Sequence, residues 1–99
     1  MKGEEGVKIA KTLKAIEDLK LKIIQGISEV YTAIYKGTED QLQQKAAKLI
    51  IYMYSLSKNS GYSYRSLDRE VLRQAEDMRR TEDAEYLDEL VQYLKIRGE

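Results

Sequence analysis

The acidic side chains near the C-terminus are the first place to look for chemistry. Glu82, Glu85 and Asp88 stand three residues apart, with Glu89 beside the last. On a helix they share one face. Carboxylates grouped this way can hold Mg²⁺, which takes oxygen ligands, and a cation so held would serve a metal-dependent nucleotide hydrolase. Other common catalytic sets are excluded outright, because the chain has no Cys and no His. It can build no disulfide, no Cys/His zinc site, no thiolate nucleophile and no Ser-His-Asp triad.

The acidic row has a plainer explanation. All-α nucleotide pyrophosphohydrolases use acidic pairs on two separate helices, whereas Glu82, Glu85 and Asp88 lie on one. No second pair with comparable spacing stands on another apolar helix. A solvated face with Arg79, Arg80 and Lys95 nearby accounts for the row. The expectation is therefore no metal, no cofactor and no enzyme.

Basic residues offer a second chemistry, contact with phosphates. Lys8, Lys11 and Lys22 fall on one side of a first helix, interleaved with Glu4, Glu5 and Asp18. Arg65, Arg69 and Arg73 repeat every four residues, as a DNA recognition helix would want. Asp68, Glu70, Glu76 and Asp77 sit among them and blunt the potential. The net charge is zero, with 17 Lys+Arg against 17 Asp+Glu, while a nucleic-acid binder usually has a basic excess. Nucleic-acid contact is possible but not favoured.

Tyrosine is the only aromatic residue, at eight positions. It is enriched in protein interfaces because a large apolar body carries a polar tip. Tyr31, Tyr35, Tyr54 and Tyr62 are the candidate partner contacts.

Periodicity says what positions these residues. Ile9, Leu13, Ile16, Leu19, Ile23, Ile27, Val30 and Ile34 recur at three or four residues and predict a helix over 7–36. Gly26 marks a bend or a close helix crossing, and Lys20 snorkels at the edge of the stripe. Gly37 suits a left-handed cap. Thr38 with Gln41 three residues later forms a capping box, so a second helix from Glu39 to about Ser57 should pack antiparallel on the first. A β-hairpin near 50–66 competes, because Ile50–Leu56 is rich in β-branched and aromatic residues and Tyr62-Ser63-Tyr64 alternates. A third helix starts near Ser63 or Ser66. Met78 and Leu87 fall on opposite faces, which predicts a break near Arg80-Thr81, with Thr81 capping a fourth helix. The expectation is a mostly or wholly α fold of about four helices, one domain over 1–99. The longest apolar run, Leu49–Tyr54, falls short of the ~20 residues of a membrane span, and Met1–Gly6 lacks a signal-peptide core.

The whole chain resembles a small protein of archaeal filamentous viruses, the lipothrixvirus and rudivirus group. The resemblance rests on the 99-residue length, on the absence of Cys, His, Pro, Phe and Trp, and on Lys/Ile/Tyr-rich wording such as Glu29–Lys36. It implies a viral protein of a hot host cell, placed in the host cytoplasm or in the virion. The abundant charged residues suit such heat. The resemblance supplies no catalytic residue. The apolar faces of the first two helices exceed what one small chain can cover. The expected function is thus a non-enzymatic, thermostable protein–protein interaction module, most simply a homodimer, with host or viral proteins as other partners. The alternative is a DNA-binding accessory or regulatory protein, and the third reading is the metal-dependent nucleotide hydrolase.

Overall fold

The computed structural model describes residues 2–98. Four helices follow one another: α1 (Lys2–Lys36), α2 (Glu39–Asn59), α3 (Tyr64–Thr81) and α4 (Glu85–Arg97). Among the described residues there is no strand, and no helix is long and apolar enough to cross a membrane. The chain divides into two compact units, one ending at Gly61 and the other beginning at Tyr62.

In the first unit α1 packs on α2. Two cross-contacts fix the sense. Glu29 meets Lys45, and three residues earlier on α1 Gly26 lies under Leu49, four residues later on α2. Advancing on one helix means retreating on the other, so the pair is antiparallel. α1 begins at Lys2, ahead of the expected residue 7, with Glu4 and Glu5 in its first turn, where they complement the helix dipole.

The line that α1 turns toward cover is Ile16, Leu19, Ile23, Gly26, Val30 and Ala33, spaced as a 3.5-residue seam. Ile9, Leu13, Ile24, Ile27 and Ile34, four of them in the expected stripe, remain exposed. A Cβ on Gly26 would stand 3.3 Å from the Leu49 side chain, so α2 comes close to the α1 backbone there, and the covered line runs through Gly26 instead of Ile27. Lys20 does not snorkel along this seam but pairs with Glu17 at 2.8 Å.

The Lys36–Gln41 connection forms as its residues demand. Thr38 Oγ1 accepts from the Gln41 N–H at 3.1 Å, and Gln41 Oε1 accepts from the Thr38 N–H at 3.0 Å. Gly37, however, is not left-handed; among the described residues positive φ occurs only at Gly61, at 97°. Glycine is needed at 37 for space, since a Cβ there would lie 2.8 Å from the Ala33 carbonyl oxygen.

The β-hairpin near 50–66 does not form. Ile50–Asn59 completes α2, Ser60 and Gly61 turn the chain, and Ser63 accepts from the Ser66 N–H at 3.0 Å to cap α3. The helix begun by the capping box meets no Gly, Pro, Asn or Ser between Gln41 and Tyr54, so its backbone bonds propagate through the β-branched stretch.

In the second unit α3 packs on α4. Asp68 meets Arg97 at 3.8 Å and Arg79 meets Asp88 at 3.8 Å, again an antiparallel pair. Ala75, Leu87 and Val91 are buried. The break between these helices lies slightly later than expected. Thr81 ends α3 and donates its hydroxyl to the Met78 carbonyl at 3.2 Å instead of capping α4. Ala84 occupies the N-cap of α4 with no side-chain hydrogen bond.

Candidate functional site

Arg65 and Arg69 are one turn apart on α3 and open onto a cleft between α3 and α4. From α4, Lys95 and Arg97 line the same cleft, which has a volume of about 630 Å³. Leu72 and Leu94 give it an apolar wall. Asp68 is its one carboxylate, and it is engaged by Arg97. Among the described residues no salt bridge neutralises Arg65, Arg69 or Lys95. Guanidinium groups bind phosphate oxygens through a planar fork of donors. A cleft of this size falls in the range of small-ligand sites, about 300–1,000 Å³.

Arg73, third in the arginine repeat, does not join this cleft. Its Nε donates to Glu70 at 2.9 Å, a second guanidinium nitrogen also bonds Glu70, and a third group faces Asp77 at 3.9 Å. Hydrogen bonds from Arg73 and Gln74 hold the Glu70 carboxyl at about 2, below its ordinary 4.5. The same pairing raises Arg73 above its usual value. The repeat is thus divided, two arginines open to a ligand and one committed to its own helix.

The other candidates are dispersed. Lys8, Lys11 and Lys22 are exposed on α1, and the first and last are separated by about 21 Å of helix. Tyr31 and Tyr35 stack with centroids 6.5 Å apart and are 70% and 77% exposed. Tyr62 is exposed in the inter-helix turn, and Tyr54 is half-buried on α2. Glu82 lies beyond the end of α3 and outside α4, so the acidic row is broken: only Glu85, Asp88 and Glu89 share a helix.

Comparison with protein families finds that the MazG-like family matches residues 9–90. The chain belongs to the MazG-like family. No curated protein and no solved structure matches it. Membership corrects the expectation of a non-enzyme, because this family points to a nucleotide pyrophosphohydrolase-type enzyme domain. Of the three functions drawn from the sequence, it lies nearest the third, the nucleotide hydrolase.

Nucleotide pyrophosphohydrolases of the all-α kind hold Mg²⁺ between acidic pairs on two helices. The residues of this MazG-like chain do not fit that arrangement. Neither α1 nor α2 carries two acids at a spacing of three or four. Glu29, the α1 carboxylate at the seam, is paired with Lys45 of α2 at 3.5 Å. Asp88 of α4 faces Arg79. Among the described residues no three acids gather as a metal site would require.

Sequence reasoning missed Lys95 and Arg97 as members of the cationic cleft. Both lie in the last turn of α4, and only the antiparallel register of α3 and α4 brings them opposite Arg65 and Arg69. The Leu94/Lys95/Arg97 pattern was a usable signal once that pairing was assumed.

Proposed function

We propose that this MazG-like protein acts on nucleoside polyphosphates. The family match, which reaches into all four helices, carries the proposal. The α3–α4 cleft supports it, since four cations against one engaged carboxylate attract a polyanion. Incubation with a panel of nucleoside triphosphates and Mg²⁺ or Mn²⁺, followed by chromatography of the nucleotides and assay of released pyrophosphate, tests it. Conversion of at least one triphosphate is the expected result. Absence of both turnover and binding for every nucleotide would overturn the reading.

The protein also self-associates in this proposal, most simply as a homodimer. The exposed Ile24, Ile27, Tyr31 and Ile34 favour it, because apolar residues clustered on one helix are the usual material of an isologous interface. Light scattering should return twice the 11.5 kDa chain mass; a strictly monomeric mass at high concentration would remove this claim. Neither part rests on the resemblance to archaeal filamentous viruses.

A further inference from the structure

We propose that the α3–α4 cleft grips the phosphate chain of a nucleotide directly with Arg65, Arg69 and Lys95, with no bridging divalent cation. This rests on the nucleotide reading above and adds to it the location of the phosphates and what neutralises them.

The side chains of this cleft offer a cation no free carboxylate to hold it. Arg65, Arg69, Lys95 and Arg97 would repel Mg²⁺, and the sole oxygen-bearing acid, Asp68, already faces Arg97 at 3.8 Å. Mg²⁺ needs carboxylate or phosphate oxygens in octahedral array and gives up water reluctantly. The same cations supply what a metal would otherwise contribute, positive charge against the phosphate oxygens. Arginine does so with paired donors in a fixed plane. Arg65 and Arg69 are one turn apart, about 6 Å along the axis, a spacing that lets them take neighbouring phosphate groups. Leu72 and Leu94 leave an apolar surface for the base or sugar.

The geometry favours a free nucleotide over a nucleic-acid strand. A backbone track would continue along the arginine repeat, but Arg73 is bound by Glu70 and Asp77. Glu70 and Asp77 would also repel a strand leaving the cleft in that direction.

Isothermal titration with ATP at low salt tests this, once with EDTA and once with millimolar Mg²⁺. ATP should bind in EDTA. Arg65→Gln and Arg69→Gln should each weaken binding roughly tenfold or more, as loss of a charge-assisted bond does, while Arg73→Gln changes it little. Arg69→Lys should recover part of the loss, which a merely misfolded variant would not. Binding that requires Mg²⁺ overturns the cation-free grip and leaves the nucleotide reading standing. Binding in EDTA that is indifferent to Arg65→Gln and Arg69→Gln overturns the location alone. If no nucleotide binds under either condition, the nucleotide reading itself fails. Displacement of ATP by short DNA at lower concentration than by ATP itself overturns the choice of a free nucleotide.

Discussion

Replacing Gly37 with alanine should destabilise the α1–α2 unit, although alanine is the better residue in almost any helix. The new Cβ would lie 2.8 Å from the Ala33 carbonyl oxygen, 2.9 Å from the Ala33 Cα and 3.0 Å from Gln41 Oε1. The first two are backbone atoms and cannot swing aside, so the turn must open by roughly half an ångström to restore van der Waals contact. The third belongs to the capping box, so the same displacement strains the Gln41–Thr38 bond. Overpacking of this kind costs about 1–3 kcal/mol, offset by about 0.4–1 kcal/mol from the less flexible unfolded chain. The mid-range net loss is about 1.3 kcal/mol, or a fall in Tm of about 5–10 °C for a domain of this size. Thermal and urea unfolding followed by far-UV circular dichroism measure it. Gly6→Ala is the control: nothing lies within 4 Å of its Cβ, so it should gain up to ~1 kcal/mol of helix propensity. Equal stability of Gly37→Ala and the parent would show that the close approach at Ala33 is not a constraint in solution.

The two N-caps should respond in opposite directions. Thr38→Ala removes a complete capping box and should cost about 1 kcal/mol, whereas Ala84→Ser supplies a missing cap to extended backbone and should add about as much; denaturant midpoints of the two variants provide the check. Leu87 is 2% exposed, and Leu87→Ala should lose about 2–5 kcal/mol, measured by the same unfolding curves. Glu70 should titrate near 2 by NMR, and Arg73→Gln should return it toward 4.5. Because its folded value is depressed, its contribution to stability is present above the unfolded value and fades as pH falls from about 4.5 toward 2. A parent Glu70 that titrates near its ordinary value would mean the Arg73 bond is not kept in water.

What was legible in the sequence was local. Thr38 and Gln41 are three residues apart, and their reciprocal bonds depend on nothing beyond that turn. The boundary between α1 and α2 and the antiparallel sense of that pair follow from it. The face of α1 was read less well. Apolar counting favours Ile27 and Ile34, yet Gly26 and Ala33 are the buried positions; Gly26 was legible as a point of close crossing, while the small Ala33 carries little weight in a hydrophobic pattern. The end of α3 was read to within a residue, but the start of α4 was misplaced because Thr81 has two uses for its hydroxyl, and the backward bond to Met78 won. For the candidate site, Arg65 and Arg69 were visible as an i, i+4 pair. The division of Arg73 from them depended on side-chain choice among Glu70, Asp77 and open solvent. Lys95 and Arg97 depended on helix register, which no local spacing encodes.

The bare start of α4 bears on the far end of the same helix. α4 has 13 residues, within the range of about 12–15 where an isolated helix is marginal in water, and its final turn carries Lys95 and Arg97. That turn should fray readily, scattering half of the positive charge around the cleft. A polyanion spanning from α3 to α4 would tether it, so occupancy should register as slowed amide exchange and resistance to trimming by trypsin at Lys95 and Arg97.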